Sequence, residues 1–427
     1  MNNLLVRLTF ILMLFSAGGC TRSASEPILS SINIIDRNGM SETLSTPDRL
    51  KQYSNVDFFS NQPYQKVLRV YSRDCEGDIY AYITSYHPNG HIRQYLEVVN
   101  NRAFGAYREW HENGILKLDT YIIGGEADIN TSAEKSWLFE GCSQVWDEEE
   151  HLIAQIQYAN GELEGTSVYY HPNRVIWKLI PYHLGQIEGN SKIFLDDGTL
   201  LQETEFCNGV KEGPSRRYWD GEQLAADECY EAGLLMSASY YDLCNKQVAE
   251  ICDGHGYRAT FGKDTISELQ EYRSGVLEGE VKVYDEDGEI VRIYHIKNDL
   301  KNGEEIEYYP RQQVEGRELQ PHLSIMWIEG RIQGLVKTWY PSGLQENQRE
   351  MSRNTKNGLL TAWYIDGSVM MIEEYDRDKL VKGEYFERGE KIPVSQVNNG
   401  KGTATIFDAR GTLLRRIVYN NGKPSAD

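Results

Sequence analysis

The sequence predicts an all-β fold, an elongated antiparallel β-meander of stacked 24-residue β-hairpin repeats, and three spacings carry that prediction. Tyr158, Tyr182, Phe206 and Tyr230 recur every 24 residues, and three residues after each stands a glycine: Gly161, Gly185, Gly209 and Gly233. A second glycine follows four residues later at Gly165, Gly189 and Gly213, and five further on an aromatic at Tyr170, Phe194 and Tyr218. This second spacing occurs eleven times, from Gly105 with Trp110 to Gly402 with Phe407. An aliphatic residue also precedes the periodic aromatic by six, as in Leu152 and Tyr158, Leu200 and Phe206, or Leu224 and Tyr230. An even step keeps both side chains on one face of a strand, whereas in a helix they would lie about 600° apart.

Each unit then reads as two short strands and two tight turns. Asn160-Gly161, Asn208-Gly209 and Asn421-Gly422 are strong hairpin signals. Where the turn glycine is missing, Asn101, Asp299 and Asn354 replace it, and these residue types best tolerate positive φ. The opposite turns read Pro88-Asn89-Gly90, Asp196-Asp197-Gly198 and Asp366-Gly367. The array is expected over residues 67–423, with residues 424–427 as a tail. Glu126 to Glu140, Met236 to Asp253 and Pro310 to Pro321 break the period and read as insertions or decayed units.

Composition agrees with a thin repetitive fold. The hydrophobic share of the 427 residues is 40%, below the about 45–50% usual for globular domains. With 44 basic against 64 acidic side chains the formal net charge is −20, which disfavours a broad basic surface for nucleic acid or anionic lipid.

The first 19 residues read as a signal peptide. Arg7 is followed by the apolar run Leu8 to Phe15, too short to span a bilayer, and then by Ser16, Ala17, Gly18, Gly19 and Cys20. Small residues leading into a cysteine resemble a bacterial lipoprotein signal. That resemblance implies lipid attachment at Cys20, anchorage in the cell envelope, and the outer membrane as destination, since Thr21 is not an inner-membrane retention Asp. Residues 20–66 show no period and are expected to form a tether with one or two short elements.

The hairpin units resemble MORN repeats, in the variant form common in bacterial proteins. Aromatic, turn glycine, second glycine, aromatic, Asn-Gly or Asp-Gly and aliphatic follow one another in that family's order from about Val67 to Lys423. The resemblance implies a long, twisted meander of about a dozen hairpins, on the order of 115 Å at about 4.8 Å per strand.

Candidate chemistry is sparse. His87, His111 and His171 each follow a repeat aromatic, and equivalent positions two strands apart lie about 9.6 Å from one another, too far for one zinc ion. Asp285, Asp287 and Gly288 resemble the start of a calcium loop, but no bidentate Glu follows at the required distance. Cys75, Cys142, Cys207, Cys229, Cys244 and Cys252 form no Cys-x-x-Cys pair, and both bridges and free buried thiols remain open. No nucleophile elbow, phosphate loop or His-Glu-x-x-His helix is present. Trp110, Trp146, Trp339 and Trp363 share one phase, as core residues or as an exposed ladder. The expectation is a non-catalytic, envelope-anchored interaction scaffold with no metal or cofactor and with a protein partner. The alternatives are a glycan or peptidoglycan binder and, from the resemblance to antitoxin-like relatives, a neutraliser of a partner protein.

Overall fold

The computed structural model describes residues 28–53, 56–314 and 319–425. The signal segment and Cys20 lie outside the described residues. Strand accounts for 63% of the chain and helix for 3%, which places it in the all-β class. The strands pair antiparallel with their chain neighbours as a meander. The chain divides into two compact units at Glu162 and Leu163.

In the first unit the expected tether is largely structured. Ile28–Asp36 pairs with Ser41–Leu44 on one side and with Gln65–Arg73 on the other, and a short helix, Pro47–Lys51, follows. Ile32, Leu44 and Leu50 are buried with Leu68, Val70 and Tyr95. A repeat array ends in an apolar sheet face that must be covered. Leu44 and Leu50 cover it here, so the segment acts as a cap. The irregular stretch after Gly125 is also packed. Asn130 Oδ1 accepts the N–H groups of Ser132 and Ala133 at 2.9 and 3.0 Å, starting the turn of helix Thr131–Glu134. Trp137 then buries its ring 4.6 Å from that of Tyr107, and its Nε1 donates to Glu126 O.

In the second unit the turns are those the sequence requires. Asn208 and Gly209 have φ of 50° and 78°, and Asn298 and Asp299 have 51° and 60°, the signs of a type I′ hairpin turn. Asn354 takes φ 70° and adds a bond that glycine cannot make, because its Oδ1 accepts Ile332 N–H at 2.7 Å. Residues 236–253 are not a decayed unit. They form a regular hairpin of Leu234–Tyr241 and Gln247–Cys252, shortened so that Gly233, Gly254 and Gly275 stand 21 residues apart.

The six-residue spacing needs correction. A bulge interrupts the pairing of each such strand just after its aliphatic residue. Tyr218 pairs with Leu224 but Arg217 with Ala226, and the consecutive Ala225 and Ala226 are both buried. The alternation restarts there, so an even count does not bring Leu224 onto the face of Tyr230.

The core explains the low apolar fraction. Two residues beyond the second glycine lies an inward position, and Ser143, Ser167, Ser215 and Glu305 occupy it as buried polar residues, with Val281, Val336, Leu360 and Ala404 there in other units. Most are paired across strands, as in Thr204 and Ser215 at 2.9 Å. Each such bond adds only about 0.5–1.5 kcal/mol, so the fold relies on repetition of small terms.

Candidate binding groove

The sequence-expected site residues serve the architecture. The Nε2 atoms of His87, His111 and His171 lie 2.9, 2.9 and 3.0 Å from the carbonyls of Trp110, Trp146 and Phe194, each in the next unit along the chain. A carbonyl can only accept, so each imidazole donates from Nε2. Tyr340 and Tyr364 make the same bond to Trp363 O and Phe386 O at 2.7 and 2.6 Å. Burial pushes both phenols up to about 12, which keeps the donating proton in place at neutral pH. The four tryptophans of common phase are half-buried, being neither core nor exposed ladder.

Asp285 Oδ1 accepts the N–H groups of Asp287 and Glu289 and so closes a turn. Asp147, Glu149 and His151 bring ligand atoms within 4.8 Å of one another. Asp147 there accepts the N–H groups of Glu149 and His151, and its other oxygen faces His151 Nδ1 at 3.1 Å, so it too closes a turn. All six described cysteines are free and exposed, in place of the expected bridges or buried thiols.

A contact that the repeat spacings do not reveal holds the type I′ turns in line. The residue before the second glycine reaches the next turn: Glu164 Oε2 accepts Leu184 N–H at 2.9 Å, and Glu188 Oε2 accepts Asn208 N–H at 2.6 Å. Its signal in the sequence is Glu-Gly at 140–141, 164–165, 188–189 and 212–213. Further along, Gln333 and Asn357 replace the glutamates, and their carbonyl oxygens accept the N–H groups of Arg353 and Arg377 at 3.0 and 3.3 Å. Arg353 and Arg377 sit at φ 49° and 47°, an unusual conformation for long side chains, and these two bonds hold them there.

Along this edge the turns wall an open groove of 1530 Å³. Its cations are Lys297, Arg331, Arg353 and Arg377, and Glu329 is the carboxylate among the described residues lining it. Arg377 approaches Asp376 at 4.0 Å, while Lys297, Arg331 and Arg353 make no ion pair among the described residues. Amides and hydroxyls fill the intervals, and the exposed Leu300 and Ile328 add two apolar points. No aromatic residue is among the described lining. Consecutive turns are about 9.6 Å apart, so the four turns give a row on the order of 29 Å long.

A MORN repeat variant family matches residues 277–298, the unit that carries Gly279, Tyr284, Asp287-Gly288 and Ile290. No curated protein matches the chain.

Proposed function

We propose that this chain is a non-catalytic, envelope-anchored repeat protein that holds a partner protein along the groove of its type I′ turn edge. The MORN repeat variant at 277–298 supports a repeat protein with a binding role. The observation that carries the choice of surface is the charge of the groove. Four cations face one carboxylate there, in a chain whose formal charge is −20. An opening of 1530 Å³ exceeds the roughly 300–1,000 Å³ of small-molecule sites and suits a chain segment. Glycan recognition commonly stacks sugars on aromatic rings, and the described lining offers none, which favours a protein over a glycan. The small-residue run ending in Cys20 supports anchorage through a lipid.

The test is photo-cross-linking in the native cells, with the reactive residue at the exposed Ile328 in the groove or at Glu286 on the opposite turn edge. The expected result is a single protein adduct from Ile328 in the membrane fraction, none from Glu286, and loss of the adduct in Arg353→Glu/Arg377→Glu. In Cys20→Ser the adduct should leave the membrane fraction. Equal adducts from both edges, or an adduct indifferent to charge reversal, would remove the groove from consideration. An unchanged membrane fraction in Cys20→Ser would remove the lipid anchor.

A further inference from the structure

One cation on an inward face is left without a counter-charge. Arg217 lies in strand Val210–Tyr218, paired across to Gln202 and Ala226. With Ser215, Glu228, Arg258 and Phe261 it lines a cavity of 190 Å³. Glu228 in that wall is already committed. It accepts Arg258 Nε and the hydroxyls of Tyr230 and Tyr240, each at 2.9 Å. Arg217 has no ion pair among the described residues, and its Nε is buried without a hydrogen-bond partner. Its guanidinium lies 5.7 Å from the centre of the Phe261 ring. Burial lowers the guanidinium from its ordinary value, with no neighbouring carboxylate to raise it. Arg217 is half-buried, with Nε out of contact with solvent, and a partly desolvated charge without a partner is costly; an anion entering the cavity would offset that cost.

We propose that this cavity binds a small monocarboxylate, with Arg217 as its counter-ion and Phe261, Ala226 and Ala259 against its apolar body. The planar guanidinium fork matches a carboxylate. One unpaired cation matches one charge, and a dianion would place its second charge near Glu228. The space equals about six waters at roughly 30 Å³ each, which admits a small acid.

The experiment is titration calorimetry of the full chain with benzoate, its neutral isostere benzamide, and inorganic phosphate. Benzoate should bind, while benzamide and phosphate should bind at least about tenfold more weakly. Arg217→Met should fold normally, because it removes a half-buried charge that has no counter-ion, and should abolish benzoate binding. Arg217→Lys keeps the charge without the fork and should weaken binding by about tenfold. No benzoate binding, equal binding of benzamide, tighter binding of phosphate, or undiminished binding in Arg217→Met would overturn the proposal. Should Arg217→Met fail to fold, undiminished binding in Arg217→Lys would do the same.

Discussion

Glu228→Gln should cost about 3 kcal/mol of folding stability at pH 7, whereas Glu373→Gln should change it by less than about 1 kcal/mol. The two glutamates occupy equivalent places in their units. Glu228 accepts Tyr230 and Tyr240, and Glu373 accepts Tyr375 and Tyr385 at 2.9 and 2.7 Å. They differ in the cation. Two residues beyond Gly256 stands Arg258, which pairs with Glu228, but two residues beyond Gly402 stands Ala404. Neutralising Glu228 therefore leaves a guanidinium unpaired in the core, while neutralising Glu373 leaves none. Breaking a fully buried pair costs about 3–5 kcal/mol, and the low end applies because the Arg258 side chain keeps 27% of its exposure.

Burial by itself would raise the Glu228 carboxyl, but Arg258 and the two phenols outweigh it and hold the group below its ordinary value. A depressed carboxyl contributes stability above its unfolded value, about 4.3, and loses it as pH falls through the lower folded value. The gap between wild type and Glu228→Gln should thus be full at neutral pH and shrink below about pH 4. The double change Glu228→Gln/Arg258→Met should recover most of the loss. Urea melts give all three comparisons, and equal losses at Glu228 and Glu373 would show that the cation is not what separates them.

Gly402→Ala should destabilise by about 3 kcal/mol or more, while Gly209→Asn should stay within about 1 kcal/mol of wild type. Gly402 has φ 142°, and a Cβ there would sit 2.2 Å from the backbone oxygen of Gln396, which has no side-chain freedom to move away. Gly209 is a turn residue at φ 78°, where Asn is well tolerated, and the nearest atom to an added Cβ is 3.8 Å away. Thermal melts decide the matter. Comparable midpoints for the two variants would mean that the close backbone approach at Gly402 does not require glycine.

The hairpin turns were legible because a left-handed residue leaves few substitutes, so Gly209, Asn354 and Asp299 disclose the same backbone. The faces of the strands were harder to read. The bulge at Ala225 shifts the alternation, and a bulge leaves no residue-type signature as strict as a turn does. The cap at 28–51 has no periodic signature because it occurs once, and Ile32 and Leu44 find their partners only across the sheet. The groove was hidden for another reason. Arg353 and Arg377 stand 24 residues apart, but Lys297 and Arg331 occupy other phases of the unit, and a net charge of −20 masks four local cations. Arg217 was not legible at all, since its lack of a partner is a property of three-dimensional packing.

The most direct measurement removes one whole unit at a time. Deleting residues 331–354 joins Gly330 to Thr355 and takes out a 24-residue unit from the groove; deleting 165–188 joins Glu164 to Gly189 and takes out an equal unit outside it. With both variants folded by circular dichroism, the adduct from Ile328 should fall by about tenfold or more in the first and stay near wild type in the second. Equal losses from the two deletions would contradict a localised groove and would mean that binding is spread along the array.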